Sequence, residues 1–271
     1  MVSVIVPVYY GRNYIKNIIG MVERNAKSAD ELVEIVFVND SCEDTILDLC
    51  ASSRLNLIVL DNARNRGIHY SRIRGIQHSH GEYILMLDQD DRISDDFLSS
   101  QLAKIKRADM VVANGYEEMG DGKRMLYRYA PMQWTVKHGI FYTVFGSRIL
   151  SPGQCLIRRT SIPDIWFETI INNNGADDYL LWIYMLHKRN KIKINRNRLY
   201  IHRMYGKNAS CDIDRMNRSL LEVVALAKEN HALSLQAYRY IVGGVEGRES
   251  VFRKIADGIV KIGNVVNRGA G

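Results

Sequence analysis

Four short apolar runs, each nearly unbroken, restrict the folds open to this chain more than any other feature. They are Val2-Ser-Val-Ile-Val-Pro-Val8, Val33-Glu-Ile-Val-Phe-Val38, Leu55-Asn-Leu-Ile-Val-Leu60 and Tyr83-Ile-Leu-Met-Leu87. A strand with one wet face alternates apolar and polar residues, so these runs predict strands buried on both faces. Between them, Tyr14 to Val22, Thr45 to Ala51 and His69 to His80 carry apolar residues at three-to-four spacing, which predicts helices. The alternation is that of βαβ units: an α/β, Rossmann-like fold whose mostly parallel central sheet has helices on both faces. Such sheets bind ligands beyond the carboxyl ends of their strands, so the functional residues should follow Val8, Val38, Leu60 and Leu87. The residues there are Tyr9-Tyr10, Asn39-Asp40, Asp61-Asn62 and Asp88-Gln-Asp-Asp91.

From about residue 111 the pattern changes. Val111-Val-Ala-Asn114 reads as a further strand, Arg124 to Tyr129 alternates like an antiparallel one, and aromatics gather at Trp134, Phe141, Tyr142 and Phe145. Residues 178–188 predict a strong helix with two acids at its amino end, where the helix dipole favours them. Two more helical stretches follow from about 211. With 46% hydrophobic and 25% charged residues the 271-residue chain is of globular composition, not disordered or collagenous. Cys42, Cys50, Cys155 and Cys211 form no C-x-x-C pair, as expected of ordinary reduced thiols in a cytosolic protein. No stretch reaches the roughly 18 apolar residues of a spanning helix, and the chain is expected to be cytoplasmic. Its formal charge of +7 is unevenly placed: residues 182–271 hold 17 Lys and Arg against 7 Asp and Glu. A basic end on a mildly acidic body suggests a polyanionic surface such as a membrane leaflet more than nucleic acid, for which no motif is present.

The cluster Asp88-Gln89-Asp90-Asp91 places three carboxylates within four residues at the end of an apolar run. Two unit charges ~4 Å apart repel by about 4 kcal/mol at an effective dielectric near 20, so a compensating cation is expected. Oxygen donors suit Mg²⁺ or Mn²⁺, held by one or two carboxylates together with substrate phosphates. Other nucleotide and hydrolase patterns are missing: no G-x-x-x-x-G-K-[ST], no G-x-G-x-x-G after the first run, no H-E-x-x-H and no G-x-S-x-G.

Taken in order, Ser3-Val-Ile-Val-Pro-Val-Tyr9, Glu34-Ile-Val-Phe-Val-Asn-Asp-Ser41, Asn65-Arg-Gly67 with Ser71-Arg72, Gly81-Glu-Tyr-Ile84 and Leu87-Asp-Gln-Asp-Asp91 resemble the successive motifs of family 2 glycosyltransferases. The resemblance covers roughly residues 2–98. It implies a GT-A fold, a nucleotide-diphospho-sugar donor, Mn²⁺ or Mg²⁺, and inversion at the anomeric carbon. Pro7, Val8 and Tyr9 would then line the base and ribose pocket. Asp40 would accept from N3–H of uracil, a donor that cytosine lacks, which favours a UDP-sugar. Arg72 would pair with phosphate oxygens, Asp88 with Gln89 beside it would contact the ribose or sugar, and Asp90 would bind the metal. Asn39 stands where many relatives carry another Asp.

The same resemblance extends to Gly175-Ala-Asp-Asp178, which implies that Asp178 is the base that takes the acceptor's proton, with Asp177 as its neighbour. His202-Arg-Met-Tyr-Gly-Lys-Asn-Ala-Ser210 is similar to a Y-R-x-H-x-x-N-x-S segment in which the histidine completes the metal shell or touches the diphosphate. Here Tyr205 takes the histidine's place and His202 the tyrosine's, which leaves the third metal ligand open, while Arg203 and Lys207 remain candidate phosphate contacts. The expected division is a GT-A domain over 1–210 and a helical extension over 211–271. Val251, Phe252, Ile255, Ile259, Ile262 and Val266 recur at helical spacing among basic residues. That amphipathic helix is expected to lie on an anionic membrane beside a lipid-linked saccharide acceptor, or to pack on the protein's own body or a second copy of the chain. Two rivals are a sugar nucleotidyltransferase, whose glycine- and lysine-rich loop is missing, and a nucleotide-binding scaffold without transferase activity.

Overall fold

The computed structural model describes residues 1–41, 43–50, 53–120, 122–204 and 212–245. Cys42, Tyr205, Lys207, Cys211 and the amphipathic segment around 251–266 lie outside the described residues. The strands are β1 (Val2–Val8), β2 (Val33–Asn39), β3 (Asn56–Asp61), β4 (Tyr83–Met86), β5 (Arg92–Ile93), β6 (Met110–Met119), β7 (Gly122–Met125), β8 (Cys155–Arg158) and β9 (Ile192–Met204). The helices are α1 (Ile15–Ala29), α2 (Leu47–Cys50), α3 (Ile68–Gln77), α4 (Phe97–Ile105), α5 (Ala130–Trp134), α6 (Gly139–Phe145), α7 (Asp164–Glu168), α8 (Asp177–His187), α9 (Ile213–Glu229) and α10 (Leu235–Val245).

Among the described residues the strands form one sheet in the order β3-β2-β1-β4-β8-β6-β9-β5, with β7 paired to β6. The first four strands in this order are mutually parallel, as the βαβ alternation predicts. Strand β8 runs antiparallel between β4 and β6, and β6 resumes the common direction beside β9. The carboxyl ends of β1, β2, β3 and β4 therefore open on one edge of the sheet.

The unbroken apolar runs are explained by the two faces. In β1, Val2, Val4, Val6 and Val8 pack on one side with Ile15, Ile18 and Val22 of α1 and Phe97 of α4, while Ile5 points to the other side with Ile76, Trp182 and Val223. Alternate side chains thus enter different cores, and both must be apolar. Strand β3 departs from the expectation of full burial, because it is the sheet's edge and its residues are half-covered at most. Helix α8 is apolar nearly all round and correspondingly buried: Leu180, Leu181, Trp182 and Met185 are all within 1% of complete burial. Helices α9 and α10 add Val223, Val224, Ala227 and Ile241 to the same core. Among the described residues no helix is long and apolar enough to cross a membrane.

Candidate active site

The predicted loops converge at the carboxyl edge of the sheet. After β1 the chain turns through Tyr9 and Tyr10, whose exposed rings meet edge to face at 4.7 Å. The Gln89 side chain holds this turn. Its Oε1 accepts from the Tyr9 N–H at 3.0 Å and its Nε2 donates to the Tyr9 carbonyl at 3.1 Å. Gly11 makes the approach possible, since a Cβ there would fall 2.0 Å from Gln89 Oε1. Pro7 is half-buried, and Val8 is buried with its carbonyl accepting the Asp40 N–H.

Asp40 is buried and fastens three segments. Oδ1 accepts from Asn62 Nδ2 and from the Arg66 N–H, each at 2.7 Å, and Oδ2 accepts from the Gly67 N–H at 2.8 Å. Gly67 adopts φ +86° and ψ 166°, a region open in practice to glycine, and a Cβ there would sit 2.2 Å from Asn174 Oδ1. That same oxygen accepts the Ile68 N–H at the start of α3. The Asn65-Arg-Gly67 turn is therefore clamped between the end of β2 and the loop that leads into α8.

Of the three clustered acids, Asp91 turns inward. The Tyr200 hydroxyl donates to its Oδ2, His202 Nδ1 lies 3.0 Å from its Oδ1, and the Ser151 hydroxyl donates to Oδ2 at 3.3 Å. Burial raises the Asp91 carboxyl. For His202, burial alone would lower the imidazole, but the bond and charge of Asp91 prevail and bring it up to about 8. Asp90 is half-buried, and burial together with the Asp91 and Asp88 charges pushes it up to about 6. Asp88 is bound by Arg72 at 2.6 Å and receives the Ser151 hydroxyl at 3.4 Å.

Arg72 joins this rim to the second half of the chain. One terminal nitrogen donates to Asp88 Oδ1 at 2.6 Å and the other to Asp177 Oδ2 at 2.7 Å, with the guanidinium itself buried. The phosphate role expected from the sequence thus falls on a side chain whose two ends already bridge carboxylates. Asp178, the next residue along α8, has its Oδ1 occupied by the Tyr179 N–H at 2.7 Å. Burial first, then the charges of Asp177 and Asp88, outweigh Arg72 and push Asp178 up to about 7. Arg203 gives its N–H to Asp91 at 3.3 Å and directs its guanidinium to Glu118, 3.4 Å away.

A divalent cation suits the donor set in chemistry and charge. Asp90 is raised by like charges that a cation would relieve, and its neighbours are oxygen donors. Among the described residues no three His, Cys, Asp or Glu side chains make a ready cage. Asp90 would hold the ion, with substrate phosphate oxygens completing its shell. Asn62 was marked by its place after the third apolar run, whereas Ser151, Tyr200 and Asn174 escaped the reading of the sequence. Each is an ordinary polar residue on a separate segment, and no local spacing marks it.

Residues 3–166 match the family model described as Glycosyl transferase family 2. The chain is 30% identical over 131 residues to the glycosyltransferase GlyA of Streptococcus pneumoniae, an alignment covering 46% of this chain and 18% of GlyA. The chain spans less than half the length of the first curated relatives it matches. In structure it is similar to TarS 1-349 of S. aureus in complex with UDP-GlcNAc, with a TM-score of 0.68 and 20% identity over 91% of this chain and 72% of that one. It is also similar to the mannosyltransferase PcManGT of Pyrobaculum calidifontis in complex with GDP-Man and Mn²⁺, with a TM-score of 0.61 and 14% identity over 98% of this chain and 79% of that one. The ordered motifs, the parallel sheet with its acid rim and the match over residues 3–166 agree: the chain belongs to glycosyl transferase family 2.

Proposed function

We propose that the chain is a metal-dependent inverting glycosyltransferase that moves a sugar from a nucleotide-diphospho-sugar, a UDP-sugar in first place, to a hydroxyl of a saccharide or lipid-linked saccharide. One observation carries the reading: Arg72 bridges the acid rim at Asp88 and the helix that begins Asp177-Asp178, so donor-side acids and a carboxyl raised to about 7 share one basin. The complexes of TarS with UDP-GlcNAc and of PcManGT with GDP-Man and Mn²⁺ support the donor class and the cation.

Tyr9 offers an exposed ring to stack a base, in a turn fixed by Gln89. Asp40 spends both lone pairs of Oδ1 on Asn62 and Arg66 and one of Oδ2 on Gly67, which leaves an Oδ2 lone pair to accept N3–H of uracil. A divalent cation held by Asp90 would supply neutralisation of the diphosphate and of the charge it gains as the glycosidic bond breaks. Asp178 accepts the acceptor's proton at Oδ2, since Oδ1 is bound to the Tyr179 N–H, and the freed oxygen attacks the anomeric carbon opposite the leaving diphosphate. A carboxyl near 7 is matched to this task at neutral pH.

The test pairs two variants. Asp178→Asn should lower transfer by about 10²–10⁴-fold and keep the thermal stabilisation given by UDP with Mn²⁺. Asp90→Ala should lose both transfer and that stabilisation. If Asp178→Asn retains full transfer, or Asp90→Ala retains metal-dependent stabilisation, the assigned roles are wrong.

A further inference from the structure

Fifteen large apolar side chains are exposed among the described residues, and six of them crowd into one stretch of 22 residues: Tyr129, Met132, Trp134, Ile140, Phe145 and Leu150. This stretch comprises α5, α6 and their flanking loops. Trp134 is 48% exposed and Ile140 63%, so the patch is open rather than a gap in the core. The rings within it support one another, with Phe141 stacked on Phe145 at 6.1 Å and Trp134 edge-on to Phe141 at 5.9 Å.

The charge carried by the stretch itself has one sign. Residues 122–163 contain seven Lys and Arg and no Asp or Glu. Lys123 and Arg124 are spent on Glu118 and Glu117 of β6. Arg128 instead lies over the Tyr129 ring and Arg148 over the Phe145 ring, both at 5.5 Å, and Lys137 is exposed between the two helices. Aliphatic and aromatic side chains framed by cations, in a stretch that carries no acid of its own, complement the boundary between anionic headgroups and acyl chains. A saccharide could stack on the ring faces, but it would gain nothing from open Ile140, Met132 and Leu150.

The patch also borders the reactive rim. The Tyr179 hydroxyl, one residue beyond Asp178, donates to the Tyr142 carbonyl of α6 at 2.8 Å. Ser151, which follows Leu150, donates to both Asp88 and Asp91. We propose that the surface formed by residues 129–150 seats the protein on an anionic lipid leaflet, with Trp134 and Ile140 at the acyl boundary and the acid rim at the lipid surface. The proposal concerns residues other than the segment around 251–266, and it does not depend on sugar transfer.

Trp166 and Trp182 are buried at 0% and 1%, so of the three tryptophans Trp134 alone reports on the surface. The full chain is mixed with vesicles of phosphatidylglycerol and phosphatidylcholine carrying brominated acyl chains. The expected result is quenched tryptophan emission with these vesicles and none with pure phosphatidylcholine, weakened by salt. Trp134→Phe should abolish the quenching while the protein still sediments with the vesicles, and Ile140→Asp should weaken sedimentation about tenfold or more. The proposal is overturned if the protein sediments without quenching, if it fails to sediment, or if soluble polygalacturonate shifts Trp134 emission where vesicles do not. Asp178→Asn should bind vesicles as the parent does, so loss of the transfer reading and loss of the membrane surface are separate outcomes.

Discussion

Asp178 faces two carboxylates, Asp177 and Asp88, and one guanidinium, that of Arg72. Its protonated form cannot act as a base, so the acid limb of kcat/KM should lie near the value of about 7 to which burial and these acids raise it. Asp177→Asn removes the larger of the two repulsions and should move that limb to lower pH, which a pH-rate profile checks directly. The same shift has a stability consequence of definite sign. A carboxyl raised in the folded state binds more protons there than in the unfolded chain between its ordinary range and about 7, so stability falls as pH rises through that window. Asp178→Asn should therefore raise Tm at pH 8 and lose the gain below pH 4, the opposite of a variant that simply damages packing. The positions of Asp40, Asp88 and Asp90 were legible because each follows a strand end. Their partners were not, since Asn62 reaches Asp40 and Ser151 reaches Asp88 across separations of 22 and 63 residues.

Helices α3 and α8 meet through one side chain. Arg72 on α3 is buried and charged, and Asp88 and Asp177 offset that charge by binding its two terminal nitrogens at 2.6 and 2.7 Å. Removing one partner of a buried ionic group leaves uncompensated charge, at a cost of about 3–5 kcal/mol. Arg72→Met should therefore destabilise by about that amount in denaturant unfolding, more than an exposed arginine such as Arg24, whose partner Asp95 is also exposed. The helix periodicity of residues 69–80 was readable in the sequence. The burial of an arginine on that helix was not, because helical spacing shows which residues share a face and not what the face meets.

Across the whole molecule, Gly67 packs on Asn174, Ser151 reaches the acid rim, and Arg72 links that rim to α8, so residues from both halves of the chain build one site. A donor bound there should stabilise the protein as a unit. Ligand at 100 times its Kd adds about 2.7 kcal/mol, so UDP with Mn²⁺ should raise Tm by a few degrees and chelation should reverse the shift. An unchanged Tm at saturating UDP and Mn²⁺ would remove support for the nucleotide site.

Nearly unbroken apolar runs and helical spacings were sufficient to determine a mostly parallel sheet covered by helices on both faces, because that arrangement depends on local periodicity and on the burial of both strand faces. Only the folded chain decided that Asp91 turns inward to Tyr200 and His202, that Arg72 bridges two acids, and that six apolar side chains of residues 129–150 face solvent. Those outcomes depend on which segments meet in space. Pairing of charges and exposure of a surface are settled by neighbours remote in the chain, and periodicity carries no information about them.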